Sequence, residues 1–383
     1  MVHVVHVLTR LLRGGAEENT VETCRWQVAQ GYRVTLIHGA EWDPLWARDL
    51  PVGVRRVAVP EMVHAVHPLR DMQALGVLRG LYRQLRPDVV HTHQSKAGIL
   101  GRLAADVVPG AVVVHGIHIV PFEGVRGARR AGYLAAERRA ARRTDVFLSV
   151  TDAAGAAFLR EGLARPGQVH TVRSGMDLTR FQRGRRPSDW RAMLGLADGV
   201  RRPAVLLMMA AMERRKGHVP FLEALAQADL PPFRLLLAGT GAEETRVRQT
   251  VARLGLSDRV RLLGHRSDPE ALFALADVSV LTSAREGLPR VAVQSMAAGC
   301  PMVVQDLPAI GELIRDGDNG VVTPAGDMAA TVGVLRRLLE APERLDRLAE
   351  GARATDVSAW SLEALGARTT AFYGLPDQRS VAA

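Results

Sequence analysis

Cysteine, lysine and long apolar runs are what this sequence has least of. Its 383 residues include two cysteines, Cys24 and Cys300, far apart in the chain. Two such thiols make no disulfide framework, so a reduced, cytoplasmic compartment is expected. No stretch approaches the roughly 18 consecutive apolar residues of a membrane span. Residues 2–8 are too short for the apolar core of a secretion signal and run straight into Gly14 and Gly15, so they read as a buried first strand. Aromatic residues are only 4% of the chain, and no aromatic platform accompanies its basic segments, which argues against a nucleic-acid partner. Lysine occurs only at Lys96 and Lys216, so the formal charge of +10 is carried almost wholly by arginine. In such a chain the two lysines mark places where a compact ammonium serves and a planar guanidinium fork does not.

What the chain has in quantity is apolar sequence in short, regular pieces. A hydrophobic content of 47% is ample for buried cores and excludes disorder. At roughly 100–200 residues per domain, the length predicts two domains. Short β-branched runs at 2–8, 33–38, 89–93, 111–115, 146–150 and 169–173 alternate with helical patterns at 16–30, 69–85, 96–106, 128–143 and 153–161. Runs such as VFLSV and AVVVH lack clean polar alternation, as parallel strands buried on both faces do. After an arginine-rich stretch near 183–188 the pattern restarts, with strands expected at 204–209, 233–238, 260–263, 278–281, 302–304 and 320–322. The fold class is therefore α/β, with two doubly wound, Rossmann-like domains: 1–184, 185–357, and a C-terminal helix and tail over 358–383. Ligands of such sheets bind beyond the carboxyl ends of the strands, and a cleft between two of them is a common ligand site.

The chemistry is concentrated just after strands. SAREGLPRVAVQSMAAGCPMVV, residues 283–304, follows one strand and opens a helix. The backbone amides of Gly287, Leu288 and the residues after Pro289 are placed to face a diphosphate at that helix N-terminus. Glu286 can accept hydrogen bonds from ligand hydroxyls, and Gln294 lies two turns along the same helix. MMAAMERRKGH, residues 208–218, is a second strand-to-helix segment carrying Arg214, Arg215 and Lys216. LLRGGAEENT, residues 11–20, is a Gly14–Gly15 turn that lets backbone approach a ligand closely.

These segments resemble family 4 of the retaining glycosyltransferases, which have the GT-B fold. Glu286, Gly287, Pro289, Met296, Ala297, Gly299 and Pro301 match the family's donor-binding motif. Lys216 and Gly217 match its diphosphate clamp, and Gly14 and Gly15 its glycine loop. Two positions depart from the pattern: Gln294 stands where a second glutamate is usual, and Ala211 where an arginine is. An amide still hydrogen-bonds a ribose but without the charge-assisted component, and Arg214 or Arg215 would have to replace the missing cation.

The resemblance implies a hexosyl-type transferase moving a sugar from a nucleotide diphosphate sugar to an acceptor hydroxyl on a lipid-linked glycan, polysaccharide or small metabolite. It implies retention, no metal and no cofactor, with a UDP-sugar as first donor and a GDP-sugar as second. His118, Lys216 and Glu286 would be the catalytic residues. Gly14, Gly15, Arg215, His265, Arg266, Gly287, Leu288, Pro289 and Gln294 would hold the donor, His265 and Arg266 through backbone groups facing the base. Lys96 would face the cleft or the acceptor. Two rival readings are a nucleotide-sugar epimerase of similar architecture and a nucleotide-sugar-binding scaffold without turnover.

Six histidines gather at expected strand ends: His3, His6, His91, His93, His115 and His118. Their intervals are those of strands and no carboxylate or cysteine joins them, so a metal is not expected. Asp316-Gly317-Asp318 has the form of a metal-binding Asp-x-Asp but sits in a turn where Asp and Gly are at home anyway. The stretch 126–143 carries seven arginines, among them Arg126, Arg138, Arg139, Arg142 and Arg143. It reads either as a solvated face or as a peripheral contact with anionic lipid at the inner face of a membrane.

Overall fold

The computed structural model describes residues 1–375 and contains two all-parallel sheets. The first is built from β1 (His3–Leu8), β2 (Arg33–His38), β3 (Val54–Ala58), β4 (Val89–His93), β5 (Val112–Ile117), β6 (Val146–Ser149) and β7 (Val169–Thr171), in the order β3-β2-β1-β4-β5-β6-β7. The second contains β8 (Ala204–Met209), β9 (Phe233–Ala238), β10 (Val260–Gly264), β11 (Val278–Leu281), β12 (Met302–Gln305) and β13 (Gly320–Thr323), ordered β10-β9-β8-β11-β12-β13. Both sheets wind outward from a central pair, β1/β4 in one and β8/β11 in the other. At those pairs the crossover direction reverses, which opens a crevice at the strand ends.

Central strands are apolar on both faces, as parallel strands covered by helices must be. Val4, Val5, Val7 and Leu8 of β1 are fully buried, as are Val205, Leu206, Leu207 and Met208 of β8. β3 has no such signature. Its sequence VRRVA lies at the sheet edge with both arginines exposed, and no apolar run announces it.

The chain divides between Met176 and Asp177, and it returns to the first unit at Ala359. The sequence pattern puts these joints at 184/185 and 357/358. The earlier crossing follows from the short helix Leu178–Gln182, which belongs to the second unit: Phe181 packs edge-on against Phe273, and Arg180 pairs with Glu270 at 2.6 Å. In the first unit the returning segment is anchored by a backbone bond from Met176 N–H to the Trp360 carbonyl. The helix Leu362–Ala371 then lies on the helix Gly15–Ala29, and the absence of a side chain at Gly366 leaves room for the Trp26 ring. This contact brings the far end of the chain, as far as Tyr373, over β1 and β4.

Candidate active site

At the centre of the second sheet, the loops after β8 and β11 are stitched together by backbone. Ala284 N–H donates to the Arg215 carbonyl at 2.8 Å, and Thr282 Oγ1 donates to the Lys216 carbonyl at 2.9 Å. Gly217, at φ +78°, makes the approach possible, since a Cβ there would lie 2.5 Å from the Thr282 carbonyl oxygen. Both the left-handed backbone and the close contact call for glycine.

This stitching sets three charged side chains on one another. Lys216 Nζ donates to Glu286 Oε1, and Arg215 Nη1 donates to the same oxygen at 3.0 Å. Arg215 also pairs with Glu213 at 2.7 Å. The Lys216 and Glu286 side chains are only 13% and 14% exposed, so their charges are held with little water. Two cations thus converge on one carboxylate, and of the two candidate arginines it is Arg215 that meets Glu286. Ala211 is exposed and contributes no charge.

Gly287 and Leu288 continue the loop, and Pro289 caps the helix Arg290–Ala297, on which Gln294 is half-buried. His265 and Arg266 follow β10, an edge strand two places from β8. The Arg266 guanidinium is taken by Asp268, through bonds of 2.8 and 2.7 Å, and this pairing raises the arginine's pKa and lowers the carboxyl's. The sequence reading passed over His218. It is buried directly after Gly217, with neither ring nitrogen hydrogen-bonded among the described residues, and burial first, then the Lys216 charge, lowers its pKa to about 4.

The first unit gathers its own candidates at the β1/β4 pair. Gly14 caps the helix Gly15–Ala29, and a Cβ on it would meet the Glu17 carboxylate at 2.7 Å. Gln94, directly after β4, carries no motif signal of its own but joins three groups here. Its Oε1 accepts from the backbone N–H of Thr9 and Arg10, and its Nε2 donates to Glu17. Its φ of +60°, rare for a residue with a side chain, is held by those three bonds. Gln94 therefore fixes the glycine turn relative to β4. Burial outweighs the amide bond and raises the Glu17 pKa.

His118 follows β5 and is half-buried, with its Nε2 3.1 Å from His93 Nδ1. Burial lowers its pKa to about 4, so the ring is neutral near pH 7. Lys96 has protein partners for its charge. Its ammonium is tied to the Ala65 carbonyl and, at 2.6 Å, to Asp71, which leaves the side chain 11% exposed. Asp316 and Asp318 are likewise occupied, Asp316 by the Val322 N–H and Asp318 by Arg315. His6, His91 and His93 bring ring nitrogens within 4.8 Å of one another. Three of the six histidines expected to gather at strand ends thus do meet.

Comparison with known proteins agrees with this geometry. The Glycosyltransferase Family 4 model matches residues 13–180, and the model for glycosyl transferases group 1 matches residues 199–355. D-inositol 3-phosphate glycosyltransferase 1 of Catenulispora acidiphila is 30% identical over 373 residues, covering 88% of this chain and 85% of its own. The UDP-Gal:alpha-D-GlcNAc-diphosphoundecaprenol alpha-1,3-galactosyltransferase of Escherichia coli is 25% identical, with 88% of each chain covered. Among solved structures, HepE of Anabaena, crystallised with UDP, superimposes with a TM-score of 0.79 at 21% identity, over 98% of this chain and 100% of its own. Two family models in tandem and a relative at 30% identity over most of both chains show that this chain belongs to the family 4 glycosyltransferases, and it has their GT-B fold.

Proposed function

We propose that this glycosyltransferase, which draws on a nucleotide-sugar donor, takes a UDP-sugar and passes its hexosyl group to an acceptor hydroxyl with retention of configuration and without a metal. The observation that carries the proposal is the convergence of Lys216 and Arg215 on Glu286 at the centre of the second sheet. Cleavage of the sugar–phosphate bond places growing negative charge on the departing diphosphate. Two cations gathered there, once transferred to the bound diphosphate, would stabilise that charge as it grows. The diphosphate would take over Lys216 and Arg215 and release Glu286 to accept from sugar hydroxyls. Gln294 is assigned to the ribose, the backbone of Gly287, Leu288, Pro289, His265 and Arg266 to the donor, Gly14 and Gly15 to the diphosphate, and His118 to the sugar.

In this scheme the diphosphate leaves on the face the acceptor attacks. The acceptor's proton passes to the diphosphate oxygen, so no protein nucleophile is needed. Positioning and charge stabilisation do the rest. The UDP preference leans on relatives: HepE is crystallised with UDP, and the Escherichia coli enzyme's name specifies UDP-galactose with a lipid-diphosphate-linked acceptor. A lipid-linked acceptor would suit contact with an anionic membrane through Arg126, Arg138, Arg139, Arg142 and Arg143, all of which are exposed. No helix among the described residues is long and apolar enough to cross a membrane.

The test is to incubate purified protein with UDP-, GDP- and dTDP-sugars, with and without lipid-linked and soluble acceptors, in EDTA. Nucleotide release that needs an acceptor, with an anomeric product signal matching the donor's, is the expected result. Isomerised sugar without release would replace this reading with an epimerase, and donor binding without turnover on any acceptor would replace it with a scaffold. Activity abolished by EDTA and restored by a divalent ion would end the metal-free claim. Sedimentation with phosphatidylglycerol vesicles, weakened by salt and by replacing the four arginines at 138, 139, 142 and 143 with glutamine, tests the membrane contact.

A further inference from the structure

The first unit contains an unbroken series of buried hydrogen bonds that ends on His118. Tyr373 Oη lies 2.9 Å from His91 Nδ1, and Gln27 Nε2 donates to the same Tyr373 oxygen at 2.9 Å. Gln27 Oε1 is 2.9 Å from His6 Nε2. His6 Nδ1 is 3.0 Å from His93 Nε2, and His93 Nδ1 is 3.1 Å from His118 Nε2. The strand register makes the series possible. His6 of β1 is paired with His91 of β4, and His93 is paired with Gly116 of β5. A Cβ at Gly116 would lie 2.9 Å from His93 Nδ1 and 3.1 Å from His118 Nε2, so the last link passes over a glycine.

A neutral imidazole has one N–H and one bare nitrogen, so a chain of neutral histidines must run in a single direction. Burial depresses the pKa of His6 to about 4 and those of His91 and His93 well below the usual range, so these rings are neutral at pH 7. Tyrosine can serve in either direction. Gln27 sets a direction by which end of its amide faces each partner: its nitrogen donates to Tyr373 and its oxygen accepts from His6. With Oε1 toward His6, the proton of His6 sits on Nε2 and its Nδ1 accepts from His93 Nε2–H. His93 Nδ1 then accepts from His118 Nε2–H, and the bare nitrogen of His118 is Nδ1.

We propose that Gln27 is a positioning residue that sets the tautomer of His118 through His6 and His93, so that His118 presents Nδ1 as a hydrogen-bond acceptor to a hydroxyl of the bound sugar. The choice of sugar-facing histidine rests on the function proposed above; the direction of the series does not. A wrong tautomer would face a sugar hydroxyl with an N–H and restrict which hydroxyls can be recognised. The series also speaks against a cation among His6, His91 and His93. Both nitrogens of His6 and both of His93 are already engaged, and a proton shared across 3.0 Å fills the space between two would-be ligand atoms.

The experiment is a long-range proton–nitrogen correlation spectrum of the full chain labelled with 15N-histidine, at pH 7.5, with the His118 signals assigned by their loss in His118→Asn. A single Nε2–H tautomer for His118 is expected in the unsubstituted protein. Gln27→Met should give both tautomers. A proton on Nδ1 in the unsubstituted protein overturns the proposal, as does an unchanged single tautomer in Gln27→Met. One equivalent of zinc bound tightly, and lost in His91→Ala, would also overturn it. The unsubstituted spectrum decides the direction even if a variant fails to fold. Donor KM and kcat unchanged in His118→Ala would remove the sugar contact, and with it the role proposed for the tautomer, while leaving the direction of the series standing as a separate result.

Discussion

Lys216 and Glu286, seventy residues apart in the chain, are bonded to one another because the turn holding the lysine is tied by backbone to the loop holding the carboxylate. Removing the lysine removes one of two cations at the place where charge is expected to grow. Lys216→Ala should lower kcat by about 10²–10³-fold, the range for losing one preorganised stabilising group. Lys216→Arg should recover only part of this, since the longer planar fork does not reproduce a compact ammonium. Arg139→Ala, on an exposed helix face, should stay within about twofold of the unsubstituted enzyme. Equal losses in Lys216→Ala and Arg139→Ala would refute the site assignment.

Gln294 offers a test in the opposite direction. If this side chain meets the ribose, Gln294→Glu replaces a neutral hydrogen bond by a charge-assisted one, a gain of about 1 kcal/mol. Donor KM should fall roughly fivefold with kcat little changed, the pattern of strengthened ground-state binding. Steady-state kinetics with varied donor checks it. An unchanged KM would place the ribose elsewhere.

The strands that carry the site were legible in sequence because they are buried on both faces. The runs at 33–38, 89–93, 204–209, 233–238 and 278–281 correspond residue for residue to β2, β4, β8, β9 and β11. β3 was not legible because an exposed edge strand has no apolar requirement to write into its sequence. Motif spacing could place Lys216 and Glu286 after strands, but not show that the ammonium bonds the carboxylate, because that contact depends on Thr282 and Gly217 closing two loops. Gln27 and Tyr373 were invisible for a similar reason. Their link to the histidines requires the C-terminal segment to return over β1 and β4, a relationship between residues 346 positions apart.

Acid should unfold the first unit through its histidines. His6, His91, His93, His115 and His118 all have pKa values lowered by burial, with His6 and His118 at about 4, whereas in an unfolded chain they would titrate near 6.5. Between those values the unfolded chain binds more protons than the folded one. Stability is therefore complete above about pH 6.5 and declines as pH falls toward 4, by up to ~1.4 kcal/mol per pH unit for each histidine. Urea midpoints should be clearly lower at pH 5.0 than at pH 7.5, and a variant with His6→Gln should show a shallower decline. Identical midpoints at the two pH values would contradict the buried, neutral cluster.

Arg102 and Glu137 make the remaining prediction. Glu137 is on the buried side of the helix Gly127–Ala141, and Arg102 meets it at 2.5 Å with both side chains essentially inaccessible. Arg102 also donates to the Gly98 carbonyl and to Thr144 Oγ1, so its charge is fully engaged. Glu137→Ala leaves a buried guanidinium without its counter-charge and should destabilise the protein by about 3–5 kcal/mol. Replacing both partners by apolar groups of similar volume, Arg102→Met with Glu137→Leu, removes both charges together. Most of the loss should then be recovered, because the pair's own attraction does little more than offset its desolvation. Denaturant unfolding of the two single variants and the double variant measures this directly. A double variant as unstable as the sum of the singles would mean that the two residues act independently, against the geometry that joins them.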